Sequence, residues 1–220
     1  MGDILDVIMS RRTVKHFLPK FISWENIAKV LEAGRFAPSS GNLQNWKFIV
    51  ILESGQKQKI AAACNEQYEI SSAGALIIVC AEIEKIERYY GLRGERLFSI
   101  QNCAAATQNM LLEAHSLGLA SRWIGAFDED EVRASCGIPP EIRPQAIVAI
   151  GYAQDVPEAP PKYPLETVVY FHRWDNRKRD GAKYAHDYAT LISRKTNALS
   201  AAFSDKTKFI VDKVKVIDKK

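Results

Sequence analysis

The sequence predicts a globular domain that contains both helices and strands, and three observations carry that expectation. Residues 46–52 and 75–81 are apolar runs of strand length, the first broken only by Lys47, as buried strands require. Residues 100–119 set Ile100, Cys103, Ala104, Thr107, Met110, Leu111, Ala114 and Leu117 at three-and-four spacing, the period of a helix with one apolar stripe. With 47% hydrophobic residues in 220, the chain can fill one substantial core, as one domain or as one domain with an appendage.

Each element has a local reason. Asp3 caps a short helix over 3–9, in which Ile4, Leu5 and Ile8 share a face. If 11–17 is extended, Arg11, Thr13 and Lys15 project to one side and Arg12, Val14 and His16 to the other. Ser23, with Asn26 three residues on, opens a helix whose stripe is Ile27, Val30, Leu31, Gly34 and Ala37, and Pro38 ends it. A helix is expected over 57–64, between the two apolar strands. In the helix over 100–119, Ala104, Ala105, Ala106 and Ala114 allow close approach of a neighbour, and Gly118 stops it. A short extended stretch at 121–124, a helix over 128–135 with an acidic first turn and an apolar strand over 144–152 complete the pattern.

Four of the nine prolines lie in 156–164, which reads as an extended arm. Beyond it, 165–171 resembles a strand and 183–203 a helix, while the alternation over 208–217 fits an edge strand or a disordered end.

Charge is uneven along the chain. Residues 1–170 hold 17 Lys and Arg against 20 Asp and Glu, a net −3, whereas 171–220 hold 13 against 6, a net +7. A solvated helix and terminus is the ordinary reading of such a tail, and a nucleic-acid surface the competing one. With no recognisable nucleic-acid fold motif, no nucleic-acid partner is expected. Cys64, Cys80, Cys103 and Cys136 and the four histidines have no ligand spacing, so no metal is expected. No run of about 18 uncharged apolar residues and no leader pattern is present, so the expectation is a cytoplasmic protein without a membrane partner.

Two clusters point to chemistry. The first, Ser10-Arg11-Arg12-Thr13-Val14-Lys15-His16-Phe17, offers two cations and a hydroxyl on one face, suited to a phosphate monoester; taken alone it is more often a solvated charge run. The second, Pro38-Ser39-Ser40-Gly41-Asn42-Leu43-Gln44-Asn45-Trp46, is a turn that can aim hydroxyls, amides and backbone N–H groups at one ligand. Together they resemble the two opening motifs of the nitroreductase family of flavin mononucleotide (FMN) oxidoreductases. The departures are Thr13 for the family's Ser, which keeps the hydroxyl, and Asn45 for its Pro, which leaves the shape of that loop open. A third stretch, Gly118-Leu119-Ala120-Ser121-Arg122-Trp123-Ile124-Gly125-Ala126-Phe127, resembles the family's Leu-Gly-x-x-x-x-Trp-Ile-Gly-x-Phe run.

The resemblance spans about residues 3–170. It implies an α+β, three-layer sandwich with a mixed, mostly antiparallel sheet flanked by helices. It also implies an intertwined homodimer with two FMN sites at its interface and an exchanged C-terminal arm. The domain would cover 1–171, with 172–220 a basic, helical extension packed on it. By the same resemblance, Arg11, Arg12, Thr13 and Lys15 serve the phosphate and the ring's carbonyl edge, and Pro38, Ser39, Ser40 and Asn42 reach the flavin from the partner subunit. Trp123, Ile124, Gly125 and Ala126 line the ring, with the backbone N–H near Gly125 facing flavin N5. Gln67 matches an amide that touches the ring, although Ala73-Gly74 stands where the family has Ala-Pro, and Lys162 matches a late phosphate contact. The implied reaction is ping-pong: NADH or NADPH reduces FMN, and a small electron-poor acceptor such as a nitroaromatic or quinone is then reduced. Residues 84–98 are the expected substrate lid. Flavin fragmentation and reductive dehalogenation are the family specialisations left as alternatives.

Overall fold

Capping side chains set where the helices begin. The computed structural model describes residues 3–177. In it the Asp3 carboxylate accepts from the Leu5 N–H to open α1 (Ile4–Ser10), and Ser23 Oγ accepts from the Asn26 N–H to open α2 (Trp24–Arg35). Both caps satisfy donors that the first helical turn leaves unpaired. Helix α3 (Ser54–Ala63) starts three residues before the sequence suggests, because Glu53 caps it by accepting from the N–H groups of Gly55 and Gln56.

Five strands form the sheet: β1 (Phe17–Leu18), β2 (Trp46–Ile51), β3 (Ala75–Glu82), β4 (Ala120–Ile124) and β5 (Ile142–Ala153). Their order is β1-β5-β3-β2, with β4 also on β5, and every ladder is antiparallel. Because β5 has 12 residues, its outer edge takes β4 opposite Ile147 to Gly151 and β1 opposite Tyr152 and Ala153. One parallel bridge, Thr13 to Ser121, is added to this pattern. The expected strand over 11–17 is thus mostly extended chain, laddered only at its end; Val14 alone among Arg11 to His16 turns into the core.

Alternation along β3 supplies both cores. Ala75, Ile77, Val79 and Ala81 face a cluster with α2 and α5 (Ser99–Ser116), including Ile27, Val30, Ala106 and Met110. Leu76, Ile78 and Cys80 face the opposite cluster with α3 and α6 (Glu129–Cys136), including Ile60, Ala61 and Val132. The result is helix, sheet, helix: the three layers expected.

Other departures are local. Residues 83–98 fold as α4 (Ile83–Arg93), kinked at Gly91, followed by the π-helical turn Gly94–Phe98 that runs into α5. A 3-10 turn at Tyr68–Ser72 was not foreseen. The chain falls into two units, Met1–Ala159 and Pro160–Lys220. In the second, the strand expected over 165–171 is replaced at its start by the helical turn α7 (Leu165–Val168). There Pro164 fixes φ just ahead of the turn, and its carbonyl accepts from both the N–H and the hydroxyl of Thr167, which favours a turn over a ladder. The helix expected over 183–203 and the alternating end over 208–217 lie outside the described residues, as does most of the expected extension 172–220.

Candidate functional site

The basic segment, the Gly118–Phe127 stretch and Gln67 come together at β4, on the outer edge of β5. The Val14 N–H donates to the Ser121 carbonyl at 3.2 Å, which lays the basic segment beside β4. Arg122, on β4, donates to Glu69 at 2.9 Å and to the Gln67 side-chain carbonyl. The Gln67 amide in turn donates to the Cys64 carbonyl at 2.7 Å. Both ends of the Gln67 side chain are therefore engaged within the chain, and Gln67 holds Arg122 to the 3-10 turn. Its own hydrogen bond to Arg122 is the main reason the Glu69 carboxyl sits below its usual value.

The cations differ in how they are held. Arg12 Nη1 donates to the carbonyls of Met9 at 2.7 Å and Arg11 at 3.0 Å, so it closes the C-terminal end of α1, where acceptors lack partners. The side chains of Arg11 and Lys15 make no hydrogen bond or ion pair among the described residues. Nearby, Ser10 Oγ donates to the Asp6 carbonyl at 2.6 Å and meets His115 Nε2 at 2.8 Å. With its one proton committed to Asp6, the hydroxyl accepts from the imidazole, so Nε2 carries a proton. Burial, aided by the positive charges of Arg11 and Arg12, keeps the His115 pKa below its ordinary value.

Past β4 the chain opens. Neither the Gly125 nor the Ala126 N–H has a hydrogen-bond partner among the described residues. A side chain built on Gly125 would meet nothing nearer than Trp123 Nε1, at 3.8 Å. Trp123 is partly exposed beside it, and Ile124 is buried in the α3 and α6 core. Bare donors, a flat aromatic neighbour and two uncommitted cations on one edge suit a planar ligand that carries an anionic group. On these observations the residues present fit FMN.

The polar turn stands apart. It follows α2, and no hydrogen bond joins it to Arg11 through Lys15 among the described residues. Ser40, Gly41 and Asn42 form a single 3-10 turn; Ser39 Oγ accepts from the Gln44 N–H at 3.0 Å, and the Gln44 amide donates to Asn42. Gly41 has φ +57°, and a Cβ there would lie 2.6 Å from the Tyr90 hydroxyl. Glycine relieves both the left-handed backbone and that approach. Tyr90, edge-on to Phe98 with ring centroids 5.0 Å apart, therefore brings the expected lid segment against the turn. Pro38 is exposed on the approach to it. Lys162 is exposed in the second unit.

The sequence did not reveal Asn102, which holds Ser40 from α5, nor the pairing of Arg122 with Gln67 and Glu69. A signal for the first was visible: a polar Asn45 where a proline was expected needs a buried partner. The cysteines take no part, since burial pushes the thiols of Cys64 up to about 11 and of Cys80 and Cys103 up to about 12, far from the reactive range. Among the described residues, no group of three His, Cys, Asp or Glu is placed to hold a metal.

A three-layer α+β sandwich with bare donors and uncommitted cations along one sheet edge is an arrangement suited to a flat, anionic ligand. The profile of the nitroreductase family matches residues 8–91 and 61–152, and the chain belongs to that family. A relative from Archaeoglobus fulgidus, named as an NADH dehydrogenase/NAD(P)H nitroreductase, is 36% identical over 160 residues, covering 70% of this chain and 88% of its own. The solved structure of a nitroreductase family protein from Clostridium difficile is 28% identical with a TM-score of 0.69, covering 79% of this chain and 99% of that one. An NADPH:FMN oxidoreductase from Vibrio harveyi, solved with NAD+, shares the fold with a TM-score of 0.72 at 20% identity, over 88% of this chain and 86% of that one.

Proposed function

We propose that this protein is an FMN-dependent oxidoreductase that draws reducing equivalents from NADH or NADPH and delivers them, ping-pong fashion, to a flat electron-poor acceptor such as a nitroaromatic or quinone. The observation that carries the reading is the convergence on one sheet edge of Arg11, Lys15 and the unpaired N–H groups of Gly125 and Ala126. Relatives named FMN reductase (NADPH) and oxygen-insensitive NADPH nitroreductase support it.

In this reading the Arg11 and Lys15 cations, with the Thr13 hydroxyl, take the phosphate, where charge-assisted hydrogen bonds are strongest. Arg12 contributes charge while holding the end of α1. Bound FMN supplies a centre, N5, that accepts hydride from the nicotinamide and gives it up to the second substrate. The Gly125 N–H is held as a donor toward that centre, and as a backbone group it neither titrates nor needs to reorient. Trp123 and Ala126 would border the bound ring.

The active form is a homodimer in which Pro38, Ser39, Ser40 and Asn42 serve the site of the partner subunit. In support, α1 buries none of its residues although Ile4 and Met9 are 70% and 65% exposed, an apolar face that water alone covers poorly. The dimer would also explain why the polar turn lies away from the basic segment within one chain. The C-terminal arm, with Lys162, would exchange between subunits. Four unpaired cysteines support a reducing, cytoplasmic setting; no helix of the described residues is long and apolar enough to cross a membrane.

The test is direct. Protein purified or reconstituted with FMN should be yellow, bleach on addition of NADH or NADPH, and regain colour with a quinone or nitro compound. Colourless protein that takes up no FMN refutes the reading.

A further inference from the structure

We infer that Asn102, acting with Asn45, is the positioning residue that locks the polar turn into its ligand-facing shape. Asn102 lies on α5 and is 4% exposed; Asn45 is 0% exposed. Asn102 Oδ1 accepts from the Ser40 N–H at 3.0 Å and the Ser40 hydroxyl at 3.2 Å, and its Nδ2 donates to Asn45 Oδ1 at 2.8 Å. The orientation of both amides follows from these partners. A backbone N–H demands the oxygen of Asn102, which leaves its nitrogen facing Asn45, and that nitrogen demands the oxygen of Asn45.

The clamp therefore grips the turn at both ends. Ser40 opens it, and Asn45 closes it with its carbonyl accepting the Glu82 N–H at 2.7 Å, so α5 and the end of β3 are joined through the loop. What lies between is backbone that relaxes if released: besides Gly41, Asn42 and Gln44 have φ of 56° and 48°. Non-glycine residues persist in the left-handed region where surrounding contacts over-determine them. The buried Asn45 Nδ2 has no partner among the described residues, a penalty the fold accepts for the sake of the Oδ1 contact. Asn102 touches no ligand itself; it acts through Ser40.

This inference rests on the flavin reading for what the turn contacts, and its test separates the two. FMN affinity is measured by flavin fluorescence in the full-length wild type, Asn102→Leu and Asn102→Asp. Asn102→Leu removes all three hydrogen bonds and should weaken FMN binding about tenfold or more, equivalent to about 1.4 kcal/mol. Asn102→Asp, whose carboxyl burial keeps protonated, retains an acceptor for both Ser40 donors and an O–H for Asn45 Oδ1, so affinity should return to within about threefold of wild type. Unchanged affinity in the folded fraction of Asn102→Leu, or an Asn102→Asp protein as weak as Asn102→Leu, overturns the inference. Should neither variant fold, amide exchange in the wild type decides: Ser40 should exchange about a hundredfold slower than Gly41, and equal rates overturn it. A wild type that binds no FMN sinks the flavin reading, while the exchange comparison still tests the clamp.

Discussion

The basic segment and the polar turn, both proposed to face the flavin, are built on opposite plans. Residues Ser39 to Asn45 are cross-linked by internal hydrogen bonds and anchored from α5, so their shape is fixed before any ligand arrives. Arg11 and Lys15 are barely tethered, and what is stored there is charge rather than shape. The difference teaches a division of labour. A phosphate rewards flexible cations that close around it, whereas the edge of a rigid ring rewards donors and acceptors set in advance.

That contrast can be broken most sharply at Arg11. Arg11→Ala should weaken FMN binding by about 1.5 to 3 kcal/mol, the range of hydrogen bonds to charged groups, and should flatten the dependence of affinity on ionic strength. Unchanged affinity in a titration would remove Arg11 from the site. At the other segment, Gly41→Ala should lower folding stability by about 1 to 2 kcal/mol through the left-handed backbone alone, and further through the approach to the Tyr90 hydroxyl. Denaturant unfolding measures the loss, and the salt dependence of FMN binding should be untouched.

Arg12→Ala sits between the plans. Since Arg12 caps α1, stability should fall by about 1 kcal/mol, with a smaller effect on FMN affinity than Arg11→Ala. The smallest effect is in pH. The folded His115 imidazole titrates below its ordinary 6.5, so the unfolded chain binds the proton first. Stability is then full above about 6.5, declines as pH drops below it, and levels off beneath the folded value. His115→Gln should flatten that slope. The polar turn has no ionisable side chain between Ser39 and Asn45 and should contribute no such dependence.

Much of this was legible in the residues. The apolar runs became β2 and β3, the three-and-four stripe became α5, and Asp3 and Ser23 cap helices where the sequence opens them. Strand 165–171 failed at its start because a local Pro164 to Thr167 hydrogen-bonded turn outcompetes β propensity. Arg12 and Gln67 read as ligand-facing from their motifs, but motif spacing says nothing of the Met9 carbonyl or Arg122, which engage them. Asn102 was hidden because nothing in the sequence sets it apart from Gln101, Gln108 and Asn109 on the same helix; its role depends on a loop 62 residues away.

Strand β3, like its neighbour β5, belongs to both hydrophobic layers. Every residue from Ala75 to Ala81 is fully enclosed, odd positions toward α5 and even positions toward α3. With oil on either side, a slip of β3 by one place would not bring polar groups inward, so alternation cannot police its alignment. Shape must do it instead: Ala75, Ile77, Val79 and Ala81 fit the α2 and α5 side, and Leu76, Ile78 and Cys80 the α3 and α6 side. Loosening either layer would strip a wall from the other, so the two layers should unfold together in one denaturant transition.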